Sequence, residues 1–436
     1  MDPFSTEDLI TQGRLDQPTD NTQCAQKKSL TALTLADVVD LALCNNPQTR
    51  ALWASARAQA TQVGVSTAAY LPTLAATANV SNNQSKVGSQ SAVNSTSQTA
   101  SLSINYLLYD FGARSATLDN AKQLLIAANA TRDATLQGNF LSAVQAYYAV
   151  MSTRASLQSF QTDELKAQES LSAAQARYQA GVATPVDKLQ AQTTLSQAKL
   201  NRIRSEGEVN NAQGTLANIM GFEASQSYTL QPVTEETPDP VIEQDIGRLI
   251  AEARQKRPDL QAADSQIKAA EAQLQATKAG GMPTITLGAM AGISNPDTQS
   301  NSIGVTLNIP LFSGFKTNYQ TRAAQAQVDG KIAERDRLAN QIALDVWKAY
   351  QSLLTNSQAL RSADDLVNAA TQSEQMILGR YKAGVGNILD TLTAQSALAN
   401  ARQQRVTALY NFLISRFVLA QSIGELDLTR ITGMNN

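Results

Sequence analysis

The chain has 436 residues, with 35 Lys and Arg against 37 Asp and Glu for a net charge of −2, and it has no histidine. Near-neutral charge with scattered cations leaves no basic footprint for nucleic acid. The missing histidine removes the commonest general base, the usual serine or cysteine triads and His-based metal sites.

The N-terminus, MDPFSTEDLI, lacks a charged start followed by an apolar run, so no signal peptide is visible; no stretch of 18 apolar residues exists, so no transmembrane helix is expected. By these tests the chain is cytosolic or is a processed mature chain. Cys24 and Cys44 are the only cysteines. A single pair near one end fits one disulfide in an oxidising compartment, tying the N-terminal extension to the first helix. Two unrelated buried thiols are the alternative, and a metal site from two cysteines without histidine is weaker. The pair favours the exported chain.

Beyond this N-terminal segment (1–45), residues 46–72 read as a helix between two prolines. The next stretch has period 2, the mark of a strand with two different faces. Leu74, Ala76, Ala78 and Val80 alternate with polar residues, as do Leu102, Ile104, Tyr106 and Leu108. A polar Ser- and Asn-rich loop, 82–99, separates them. A proline-free helical stretch follows over about 113–180, on the order of 100 Å if helical. After a turn at about 181–186 the chain returns through 186–220. It then crosses an irregular patch, 221–245, holding Pro232, Pro238 and Pro240.

The second half repeats the first. A helix runs to about 280 and a β-hairpin covers about 284–311, with Ile303, Val305, Leu307, Ile309 and Leu311 on one face. A long helix covers about 315–383, a turn about 384–388, and a return helix ends at Gly424, matching Gly221. The repeats are therefore 46–245 and 246–436. Their clearest match is RYQAGVATPVD at 177–187 against RYKAGVGNILD at 380–390; over 177–199 and 380–402, 11 of 23 positions are identical at an offset of 203. In each copy a glycine (Gly181, Gly384) suits the left-handed residue that ends a helix, and Thr184 or Asn387 serves as the next N-cap. Pro185 takes the first helical position, and Asp187 and Asp390 the third, a capping-box spacing with Asp in place of Glu. Each turn is short enough to hold its helices antiparallel.

Four strands with one apolar and one polar face cannot close a barrel alone; two copies would pool eight strands and three copies twelve. The ordered double pattern of N-P-helix, β-hairpin, L-F-S-G junction, long helix and RYxAGV turn resembles the TolC family of outer-membrane factors over about 34–428. The resemblance implies an α+β membrane protein: a trimeric 12-stranded β-barrel, four strands per protomer, continued by a long α-helical coiled-coil tunnel built from two tandem repeats. It implies a homotrimer in the outer membrane of a Gram-negative bacterium, in contact with outer-membrane lipid and extending into the periplasm. Its partners would be a periplasmic adaptor (membrane fusion) protein and an inner-membrane ABC or proton-driven transporter. It carries no catalysis, so no enzyme, cofactor or metal site is expected.

By the same resemblance the tips Gly181, Val182, Ala183, Thr184, Pro185 and Gly384, Val385, Gly386, Asn387 close the pore and meet the adaptor. Asp390 would line the constriction, and Asp187 would bond Tyr381 as a latch. Capping is the plain alternative for both carboxylates. The family's second gate carboxylate is Thr393 here, and a basic latch residue is replaced by Gly386. Tyr106, Tyr109, Phe111, Phe312 and Phe315 form an interfacial belt or simply pack at a junction. Neither Cys24 nor Cys44 has the small-residue context of acylation, which favours type I protein secretion over drug efflux. A periplasmic coiled-coil adaptor is the competing class, and the alternating strands speak against it.

Overall fold

A computed structural model describes residues 2–10, 30–86, 88, 92–231, 245–295 and 298–426. A short 3-10 turn, Thr6–Leu9, precedes α1 (Leu35–Asn45), α2 (Pro47–Ala68), β1 (Thr73–Ser85), β2 (Val93–Tyr109), α3 (Ala113–Gln179) and α4 (Pro185–Ile219). The second half holds α5 (Ile246–Lys256), α6 (Pro258–Ala279), β3 (Thr284–Ser294), β4 (Thr298–Asn308), α7 (Lys316–Lys382) and α8 (Ile388–Ser422). Both long helices have 67 residues and both return helices 35, so the repeat is kept residue for residue.

Local chemistry sets the breaks. Thr34 and Asp37 form a reciprocal capping box that starts α1. Each short helix stops at a residue before proline: Asn46 at ψ 125° before Pro47, and Arg257 at ψ 122° before Pro258. The proline ring disfavours the helical conformation of the residue before it. The single helix expected over 246–280 is therefore two.

The sheet has the order β1-β2-β3-β4, antiparallel throughout. The register puts Leu74 opposite Ile104, Ile104 opposite Ala289, and Ala289 opposite Ile303, so one apolar face crosses all four strands. The opposite face carries hydroxyls that pair across strands, Thr77 with Ser101 at 2.7 Å and Ser81 with Ser97 at 2.8 Å. No strand residue is charged. β1 and β2 run well into the stretch expected as a loop, because Ser and Asn have no apolar partner to alternate with yet still pair. Conversely, β4 ends at Asn308, before the expected Ile309 and Leu311; Pro310 cannot donate to a ladder.

Two compact units each draw on both repeats. The first comprises Met1–Gln12, Trp53–Arg132 and Asp259–Leu338; the second comprises Gly13–Leu52, Asp133–Pro258 and Ala339–Asn436. In the first, Ala60, Val63, Ala121 and Leu125 form a small cluster, and Leu274, Ala324 and Val328 form its repeat. The second holds the main core, around Phe140, Tyr147, Tyr148, Phe412 and Phe417. Within it, residues 30–33 pair with 229–231, including a Leu33 N–H bond to the Thr229 carbonyl at 2.8 Å. The prolines 232, 238 and 240 and Cys24 lie outside the described residues.

Candidate functional site: the two hairpin turns and the seam between them

The two turns close by the same backbone device. In the first, the Val182 N–H reaches the Arg177 carbonyl at 3.0 Å and Gly181 has φ +76°. In the second, the Val385 N–H reaches the Arg380 carbonyl at 3.1 Å and Gly384 has φ +83°. This is the Schellman arrangement, and its left-handed residue favours glycine.

Their capping differs. The Thr184 hydroxyl accepts the Asp187 N–H at 3.3 Å, and the Asp187 carboxylate accepts the Thr184 N–H at 2.9 Å. Asn387 instead accepts the Leu389 N–H at 3.0 Å. Asp390 is exposed, and among the described residues its carboxylate takes no part in the cap. The expected box at 387–390 is therefore not formed, because the Asn387 amide oxygen turns to the second helical N–H. One carboxylate is used by its own helix and the other is left over.

Tyr381 is buried, at 5% exposure, in a cluster with Ile388 and Leu392. Arg177 holds it from the other hairpin: the guanidinium lies 4.7 Å from the ring centroid and donates to the Tyr381 carbonyl at 2.8 Å. Burial pushes the phenol pKa up, Arg177 pulls it down, and nearby Asp187 pushes it up again. Asp187 thus faces Tyr381 electrostatically, but no hydrogen bond joins the two among the described residues. Within the protomer Asp187 Oδ2 instead accepts from its own cap. Gly386, which stands where a basic latch residue was implied, is required by packing. A Cβ there would lie 2.8 Å from the Tyr381 backbone nitrogen.

Farther along, α3 meets the second hairpin through polar groups that the sequence reading missed. Gln403 donates to the Ser156 hydroxyl at 3.0 Å, and Arg402 pairs with Asp163 at 3.7 Å. Lys166 pairs with the nearly enclosed Glu374 at 3.0 Å, and Ser170 donates to Gln395 at 3.1 Å. Burial pushes the Asp163 carboxyl up, while Arg402 and Lys166 pull it back. Residues 156, 163, 170 and 177 are seven apart, the period of a coiled-coil seam. That polar heptad was the available signal.

Val182, Val186, Leu189, Val385 and Leu389 are exposed at the tips, and Ala183, Thr184 and Pro185 complete the first turn. Among the described residues no cluster could hold a metal ion. Cys44 is disulfide-bonded.

No helix of the described residues is long and apolar enough to cross a membrane, which says nothing of strands. The sheet supplies the membrane argument. Its apolar face is uncovered, with Leu74, Val80, Ile303 and Val305 all more than 60% exposed. Its outer edges, on β1 and β4, are unpaired within the sheet. An apolar face and two open edges fit lipid and neighbouring strands, not water. In a chain that also folds into two long helical hairpins, such a sheet defines an outer-membrane export channel protein.

The comparisons with known proteins agree. The family model for outer membrane efflux proteins matches residues 38–222 and 249–425, and the chain belongs to that family. It is 30% identical to protein CyaE of Bordetella pertussis, over 92% of this chain and 86% of that one. It is 25% identical to outer membrane protein TolC of Vibrio cholerae, over 93% of each. The outer membrane protein VceC of Vibrio cholerae has the same fold, with a TM-score of 0.77 at 20% identity, covering 89% of this chain and 96% of that one.

Proposed function

We propose that three copies pool their strands into a twelve-stranded barrel, and that their hairpins form a periplasmic conduit meeting an adaptor and an inner-membrane transporter. The observation that carries this is the charge-free sheet, with its uncovered apolar face and two open edges. A twelve-strand closure satisfies both edges of every protomer and sets the hydroxyl face toward the lumen. The repeated tips form the periplasmic end. There Asp390, exposed and unused by its helix, is the constriction carboxylate, and Asp187 is a capping residue beside it.

Cys24 pairs with Cys44 in this reading, since the chain has no third cysteine. A disulfide takes the thiol out of acylation and supports type I protein secretion over drug efflux as the pathway served. Thiol titration of the denatured, unreduced protein should find no free cysteine.

The test of the channel is direct. The purified protein should run as a heat-resistant trimer on a denaturing gel and conduct ions in a planar bilayer, with cations preferred. Three Asp390 carboxylates near one axis also favour binding of multivalent cations from the periplasmic side. Asp390→Ala should weaken that block. An unchanged block would leave Asp390 a surface residue. A monomer without conductance would remove the channel itself.

A further inference from the structure

Within one protomer, α3 of the first hairpin packs on the second hairpin through the Arg177–Tyr381 contact and the polar seam above it. The helices of the two hairpins repeat at an offset of 203 without insertion. Each contact therefore has a pseudo-equivalent pair of residues that cannot meet inside one chain, because α7 would need a further hairpin beside it. Arg177 and Tyr381 map onto Arg380 and Tyr178. Arg380 is exposed, and Tyr178 is 41% exposed in contrast to its buried counterpart. Ser170 and Gln395 map onto Ser373 and Gln192, so this donor and acceptor are also retained.

The charged contacts are not retained. Asp163 and Arg402 map onto Leu366 and Lys199, and Lys166 and Glu374 map onto Ala369 and Leu171. Ser156 and Gln403 map onto Ala359 and Leu200. Leu366 and Leu200 are 43% and 41% exposed in the protomer. Among the described residues one face on each hairpin thus has no partner from the other hairpin, Tyr178 meeting only Lys188 of its own hairpin at 6.0 Å from the ring centroid, and the two faces have the spacing of an interface already formed elsewhere in the chain.

We infer that these two faces bind each other between copies of this chain, with Arg380 of one protomer stacked on Tyr178 of the next. A repeated head-to-tail contact of this kind closes a ring. The tip clasp is the same within and between subunits, whereas the seam above it has two ion pairs within a protomer and none between protomers, where Leu366, Ala369, Leu171, Ala359 and Leu200 take most of the places. A guanidinium over a tyrosine face holds in either setting. Apolar residues suit a contact that stays assembled, since their exposure in a free protomer favours association. The inference rests on the trimeric reading above and adds which residues join the copies.

The test uses the full-length protein in detergent or membranes. Arg380→Cys with Tyr178→Cys, treated with a short bismaleimide, should give dimer and trimer bands on a denaturing gel; either single variant should not. Arg177→Cys with Tyr381→Cys should link only within the chain. If that control links and the first pair gives no interchain band, while amine crosslinking still traps trimers, the clasp is overturned and the trimer stands. If amine crosslinking traps only monomers, the reading beneath it fails as well.

A charge test decides the matter independently. Leu366→Lys, set against Lys199 of the next copy, should abolish the trimer band at temperatures where the unaltered protein retains it. Leu366→Asp should keep the band by restoring an ion pair like Asp163–Arg402. Equal loss, or no loss, in both variants would overturn the assignment.

Discussion

The turn at 180–184 and the turn at 383–387 share a backbone and differ in what their side chains are free to do. Both end a 67-residue helix with a left-handed glycine. In the first, Asp187 is held by its own cap and Arg177 is held by Tyr381 of the other hairpin. In the second, Asp390 and Arg380 are exposed, and Gly386 lets the chain lie against the Tyr381 backbone. Duplication kept the fold of the hairpin and released one copy's charged residues from it. The first turn is therefore the anchored one, and the second is the one with a carboxylate to offer.

The largest departure should come from filling the close approach in the second turn. Gly386→Val places a branched side chain where even a Cβ meets backbone at 2.8 Å. Overpacking of this sort costs about 1–3 kcal/mol. Hydrogen exchange in 380–390 should rise sharply and the resting conductance with it. Ala183, at the matching place in the first turn, is half-buried and already carries a Cβ, so Ala183→Val should leave 177–187 protected. Equal responses at the two sites would dissolve the difference between the turns.

A second contrast concerns the cation between the hairpins. Arg177→Lys keeps a charge but loses the planar guanidinium that stacks on Tyr381 while donating to its carbonyl. A contact of this kind contributes about 0.5–2 kcal/mol. Exchange at both turns should rise together, since the residue ties one to the other. Loosening confined to the first turn would mean that Arg177 serves only its own helix.

The two carboxylates come next. Asp187→Ala removes the reciprocal cap at Thr184, a loss of about 0.5–2 kcal/mol, and should fray the start of α4. Asp390→Ala should leave helix stability within about 0.5 kcal/mol of the unaltered protein, as expected for an exposed site without a partner. Its effect belongs in conductance. If Asp390→Ala frays α8 as much as Asp187→Ala frays α4, the apparent freedom of Asp390 is wrong.

Much of this contrast was within reach of the sequence because it is local. Gly181, Thr184 and Pro185 specify their turn through backbone chemistry within a few residues, and the 203-residue offset exposes the duplication without any knowledge of packing. The alternation in 73–81 likewise marks a strand with two faces. What was not legible depends on residues far apart in sequence. The Arg177 guanidinium meets Tyr381 across 204 positions, so a capping argument could see only its charge near a helix end. The box expected at 387–390 failed because Asn387 has a second local N–H to accept, and spacing alone cannot choose between them. The outer ends of β1 and β2 escaped because residues such as Asn82, Asn83 and Gln84 are polar on both faces.

The smallest effect is expected at the hydroxyl of Tyr381, although the family resemblance made it the latch. The ring is buried and held from outside its own hairpin through its face and its backbone carbonyl. Tyr381→Phe keeps both contacts, so at neutral pH resting conductance and turn protection should stay close to those of the unaltered protein. The difference should appear only in alkali. Burial, with Asp187 beside it, holds the phenol pKa above its ordinary value against the pull of Arg177. A tyrosine whose folded pKa is raised contributes stability that is fully present below its unfolded pKa of about 10 and is lost as pH rises through the folded value. The phenylalanine variant cannot lose that contribution, so its turns should stay protected to higher pH than the parent's. Tyr147 and Tyr228, both pushed up to about 12 by burial, are present in both proteins and contribute the same alkaline loss to each. If Tyr381→Phe instead opens the pore at neutral pH, the hydroxyl makes a bond in the assembled channel that the protomer does not contain, and the latch returns to Asp187.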